Sequence, residues 1–219
     1  MQSFTYVEFG IRPWVAGVAS MAAKDTRLVD ASVPDFGTRS TGDLRLGARW
    51  ALVRGPVPVS LETTATVPTY PRSDPRALAS EREQFLPAGT GHVEWEGLLQ
   101  VGLSLYPWPV YANLAAGRRE RGGAYGDQWL VTVEAGTTVG RVFAKSDLRG
   151  VIADGDLCDT ASAGAVTFEE RSWHWAPEVA VRVSDRWWVG AGAAVLLSGR
   201  NTLDGTQWSL SLTWQKPSS

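Results

Sequence analysis

Eleven tryptophans punctuate this chain of 219 residues, and their placement constrains the fold more than any other feature. Trp14, Trp50, Trp108, Trp187, Trp188 and Trp214 stand beside short turns or the C-terminus. Trp95, Trp129, Trp173, Trp175 and Trp208 stand at the opposite ends of strand-length apolar segments, next to long polar stretches. An indole is apolar with one N–H donor, so it is most at ease where hydrocarbon meets water. Two girdles of Trp one strand length apart are what a transmembrane β-barrel needs, and all eleven are read as membrane-interface aromatics.

Strand periodicity supports that architecture. Apolar residues alternate with polar ones at 44–52, 58–67, 92–105, 173–183 and 207–214, and weaker strands are expected at 3–9, 14–24, 109–119, 128–137, 140–151 and 187–197. Connections alternate between short turns (10–13, 54–57, 106–108, 137–140, 184–186) and long loops (25–41, 69–90, 120–127, 152–171, 198–206). That rhythm belongs to an up-and-down barrel, whereas a Greek-key sandwich mixes its loop lengths. From Trp95 to Tyr106, eleven tilted strand steps give a band about 27 Å tall, near the ~25 Å of outer-membrane barrels. In the loop at 69–90, Asp74 and Pro75 predict a short helix through Gln84.

The expected fold is therefore all-β: a single domain over 1–219 forming an up-and-down antiparallel transmembrane β-barrel. Eleven strands are visible. Even strand numbers and both termini on one side are the rule for such barrels, so a twelfth strand and an export leader are expected ahead of Met1.

Alternation alone does not say which face is buried, because a soluble barrel alternates identically. The contents of the faces decide. Glu8, Arg45, Arg49, Glu62, His92, Glu94, Glu96, Gln100, Asn113, Thr132, Glu134, His174, Glu178 and Arg182 fall on the non-apolar face and are assigned to the lumen, along the path of a permeating solute. A soluble barrel would have to pack eleven indoles inside, with no long helix to fill the space. Only three lysines are present, where exposed sheet edges usually carry more. A soluble lipocalin-like or sandwich fold is the competing architecture.

Composition excludes several functions. A net charge of −2 offers no basic field for nucleic acid. No apolar run is long enough for a transmembrane helix, and the single Cys158, in a polar loop, has no partner for an internal disulfide. There is no phosphate-binding glycine loop, paired-cysteine zinc pattern or Rossmann signature, so no cofactor or metal is expected.

Two clusters invite chemistry. His92, Glu94 and Glu96 share one strand face, as do His174 and Glu178, which could serve a metal site or a His/Glu acid–base pair in a lipid-modifying hydrolase. No nucleophile elbow accompanies them, and the plainer expectation is ordinary lumen lining balanced by Arg45, Arg49 and Arg182. Arg118, Arg119, Glu120 and Arg121 read as a charged cluster at a loop entrance, either solvated or holding lipopolysaccharide phosphates.

The elements Tyr6-Val7-Glu8-Phe9-Gly10-Ile11, Gly42-Asp43-Leu44-Arg45-Leu46-Gly47, Leu61-Glu62-Thr63-Thr64-Ala65-Thr66-Val67-Pro68-Thr69 and Leu86-Pro87-Ala88-Gly89-Thr90-Gly91 occur in this order. Together they resemble the outer-membrane barrel family described as phenol meta-pathway transporters, loosely related to long-chain fatty-acid transporters. The resemblance spans roughly residues 4 to 214. It implies a bacterial outer-membrane channel or transporter-like barrel for small, hydrophobic or aromatic molecules, and it carries over no catalytic residue. The partners implied are outer-membrane lipid, lipopolysaccharide, the barrel-assembly machinery and a small-molecule solute. A closed structural or ligand-binding barrel is the remaining alternative. The chain departs from the family pattern in ending Trp214-Gln215-Lys216-Pro217-Ser218-Ser219 rather than on an aromatic residue.

Overall fold

The computed structural model describes residues 2–30, 33–69, 91–122, 126–154, 170–200 and 205–215, with side chains omitted at 2–4, 22–30 and 33–41. The helix expected near Asp74 and the loop holding Cys158 lie outside these residues.

Eleven strands follow one another: β1 (Gln2–Arg12), β2 (Val15–Asp30), β3 (Val33–Val53), β4 (Val59–Val67), β5 (Glu94–Ser104), β6 (Val110–Arg121), β7 (Gln128–Val139), β8 (Val142–Ala153), β9 (Arg171–Arg182), β10 (Trp187–Arg200) and β11 (Thr206–Trp214). They form one sheet in which spatial order equals sequence order. Each neighbouring pair is antiparallel, as short hairpin connections require. Among the described residues no ladder joins β1 to β11, so the sheet is open along that seam.

Several boundaries differ from the sequence expectation. Within 25–41, expected as a loop, residues 25–30 and 33–41 continue the β2–β3 ladder through Asp25↔Arg39, Arg27↔Gly37 and Asp30↔Val33. This stretch has no period-2 apolar pattern, but main-chain hydrogen bonds extend a hairpin without one. β6 likewise runs to Arg121 and β10 to Arg200, into segments expected as loops. The turn expected at 137–140 is a two-residue connection, Gly140–Arg141, closing the pair Val139↔Val142. Gly140 has φ +60°, the left-handed value that primed hairpin turns demand at their first central position.

Glycine also shows which way the sheet bends. A Cβ on Gly117 would lie 1.8 Å from the Gly97 carbonyl oxygen of the adjoining strand, and one on Gly47 would lie 2.3 Å from the Thr63 oxygen. In a flat sheet a Cβ stands clear of its neighbours' backbones. Here β5 and β4 fold over these two positions, so the sheet curls towards the face on which Gly47 and Gly117 stand.

That inner face is where burial concentrates. Val18, Ala115, Ala153, Ala176 and Ala180 are its buried apolar residues, while Ser20, Glu62, Thr64, Glu96, Gln128, Asp147 and Ser172 are buried polar ones. The other face is apolar and exposed: Trp95 is 60% accessible and Leu210 89%, against 7% for Glu96. The usual arrangement of a water-soluble sheet is inverted.

Candidate functional site: the charged inner face

Register fixes which side chains share the inner face, because directly opposed residues point the same way. Starting from Glu8, the rungs Glu8↔Val18↔Gly47↔Thr64↔Glu96↔Arg119↔Gln128↔Ala153 cross eight strands. The same alternation places Arg45, Arg49, Glu62, Glu94, Gln100, Asn113, Thr132 and Glu134 inward, and on the later strands His174, Glu178 and Arg182. His92 lies two residues ahead of β5, outside the strand in which it was expected.

Two ion-pair networks occupy this face. In the first, Arg49 donates to Glu62 at 2.7 Å and to Glu8 at 3.2 Å, which also accepts the Tyr6 hydroxyl at 2.8 Å. Arg45 bridges Glu62 at 3.4 Å and Glu96, with its Nε on Thr64 at 3.0 Å. Arg119 closes the chain, donating to Glu96 at 2.9 Å and to Gln128 at 3.2 Å, with Glu94 at 3.9 Å. Gln100 adds a donor to Glu62 at 3.1 Å. Nearly buried carboxylates such as Glu62 and Glu96 are tolerable because each meets two guanidiniums.

The second network centres on Lys145, which lies 3.3 Å from Glu134, 3.4 Å from Asp147 and 3.7 Å from Glu178. Arg149 pairs with Asp147, and the Ser211 hydroxyl donates to Glu178 at 3.2 Å. Asp147 directly opposes Glu134 across β7 and β8.

Arg119, Arg121, Lys145, Asp147 and Arg149 also face inward, none of them expected there from the sequence. The run Lys145-Ser146-Asp147-Leu148-Arg149 carries a charge at every second position, a signal sufficient to have found the last three. Of the charged cluster at 118–121, expected at a loop entrance, Glu120 and Arg121 also belong to β6. Arg119 and Arg121 face inward, Arg118 and Glu120 outward.

On the strands with described side chains, the inner face therefore holds seven carboxylates (Glu8, Glu62, Glu94, Glu96, Glu134, Asp147, Glu178). Seven fixed cations face them: Arg45, Arg49, Arg119, Arg121, Lys145, Arg149 and Arg182. Outward charges on those strands, namely Arg12, Arg118, Glu120, Arg171 and Arg200, stay within four residues of a strand end.

The tryptophans divide along the same lines. Trp95 and Trp129 are second residues of β5 and β7 and point outward, as do Trp50, Trp173, Trp175, Trp187, Trp208 and Trp214. Trp14 and Trp108 sit in the short connections. Trp188 opposes Arg182 on the charged face, with the guanidinium 5.9 Å from its ring centre. At the long-loop end, the Arg118 guanidinium stands 5.6 Å over the Trp129 ring and pairs with Asp127 at 2.8 Å and Asp154 at 3.3 Å. Asp127 also accepts the Arg121 backbone N–H at 3.0 Å. The bond from Arg118, then that from Arg121, holds the Asp127 carboxyl below its ordinary value.

Among the described residues, no group of three or more His, Cys, Asp or Glu side chains is placed to hold a metal ion. His174 opposes Arg149 and Leu196, and nearby Ser172 gives its hydroxyl to Glu170 at 2.7 Å.

No family model matches this chain, and no curated protein matches it. Fold and face define a class all the same: an antiparallel up-and-down sheet of 11 strands, curled with its charged side chains inside and its apolar ones outside.

Proposed function

We propose that this chain is a bacterial outer-membrane β-barrel of the phenol meta-pathway transporter type, passing small molecules through a charged lumen. The observation that carries the proposal is the inverted polarity: Glu62 and Glu96 are buried while Trp95, Leu99, Leu210 and Leu212 stand exposed. Monomeric soluble proteins rarely expose a contiguous apolar face of this extent, and a hydrocarbon environment removes the cost. Confinement of outward charges to strand ends supports a band in between that only lipid would cover.

In lipid every backbone N–H and C=O needs a partner, so the open edges must be sealed. β1 and β11 run in the same direction, and one further strand antiparallel to both would seal them into a twelve-stranded barrel. Outer-membrane lipid and lipopolysaccharide are then the natural neighbours of the Trp girdles and of Arg118, and the barrel-assembly machinery the route of insertion.

The strand-bridging carboxylates favour one second reading, a barrel whose lumen is closed and whose role is structural. Conductance separates the two. Protein folded into planar lipid bilayers should give single-channel current; well-folded protein without current would remove the channel reading and leave the closed barrel.

A further inference from the structure

We infer that the solutes of this lumen carry no net charge, and that the near-cancellation of fixed charges on the inner face sets this preference. The inference rests on the channel reading and narrows its substrate class. On the strands with described side chains, seven carboxylates face seven Arg and Lys groups, and they are interleaved rather than segregated. Arg49 lies between Glu8 and Glu62, Arg45 between Glu62 and Glu96, and Lys145 among three carboxylates.

Interleaved opposite charges cancel at distances beyond their own spacing, so the lumen has no single-sign field to concentrate ions of one kind. An entering ion gives up hydration and meets attraction and repulsion in nearly equal measure. A solute without net charge gives up less, and it can exchange hydrogen bonds with both the donors and the acceptors of the wall.

Two measurements on protein reconstituted in lipid test this. Under a potassium chloride gradient, the potassium-to-chloride permeability ratio should lie close to one. In liposome swelling, arabinose should enter faster than either gluconate or N-methylglucamine, which are similar in size and opposite in charge. Arg149→Gln should move the ratio several-fold towards potassium, and Glu178→Gln several-fold towards chloride. Both side chains are partly exposed on the inner face, so these changes spare the buried Glu62 and Glu96 links. A strongly one-sided ratio in the unaltered protein, charged solutes entering as fast as arabinose, or variants that leave the ratio in place would each overturn the inference. Absence of any flux, for any solute, would instead overturn the channel reading beneath it.

Discussion

The guanidinium of Arg45 on β3 reaches across β4 to the carboxylate of Glu96 on β5. Arg49 does the same in the other direction, crossing β2 to reach Glu8 on β1. These bonds skip a strand, so beyond the register that turns both side chains inward they need the curl that brings next-but-one strands together. Arg45→Ala should therefore destabilise the folded state by about 2–3 kcal/mol, because Glu96 and Glu62 lose a partner while nearly buried. Equilibrium unfolding in urea from lipid vesicles measures this, and a loss under about 0.5 kcal/mol would mean the bridge is incidental.

Leu99 points outward from the middle of β5, nearly half exposed. Leu99→Arg should cost about 2–4 kcal/mol in lipid if that face lies at the bilayer midplane. At Glu120, outward and near the end of β6, the Glu120→Arg change should cost at most about 1 kcal/mol. Equal costs at the two sites would argue against a hydrocarbon band between them.

Gly97 and Gly117 form a matched pair for testing curl. A Cβ on Gly97 meets nothing within 4 Å, whereas one on Gly117 strikes the backbone of β5. Gly117→Ala should cost about 3 kcal/mol and Gly97→Ala less than about 1 kcal/mol. Similar values from denaturant titration would contradict the bend at β5–β6.

Asp127 supplies a pH dependence outside the strands. Its carboxyl titrates lower in the folded chain than in the unfolded one, so its contribution is complete above the unfolded value of about 4 and disappears as pH falls through the folded value. Asp127→Asn should flatten the acid limb of the stability profile below about pH 4 while leaving its shape near pH 7 unchanged. A profile with the same acid limb as the unaltered protein would rule out this group as the cause.

Much of the site was legible because alternation encodes facing directly. Glu94, Glu96 and Gln100 fell on one face in sequence and share one face in the sheet. Arg119 fell within the strand expected at 109–119, but the consecutive charges of Arg118-Arg119-Glu120-Arg121 carry no polar–apolar alternation to mark which of them faces inward. Residues 25–30 and 33–41 were hidden for a related reason: Pro34, Gly37 and scattered charges erase the period, while the antiparallel ladder continues. That Arg45 and Arg49 balance inward carboxylates was expected, but which carboxylate each reaches, 51 and 41 residues away, is set by register and curvature together.

The unbroken rung from Glu8 on β1 to Ala153 on β8 has an implication for how such a chain can change. Removing Gly97 from β5 would reverse every side chain on one side of the gap, for instance turning Trp95 inward and Glu94 and Glu96 outward while Leu99 keeps its place. Viable length changes inside strands should then come in twos, and odd ones should be confined to the connections. Inheritance in this sheet has a reading frame of two residues, imposed by side-chain direction and independent of any codon.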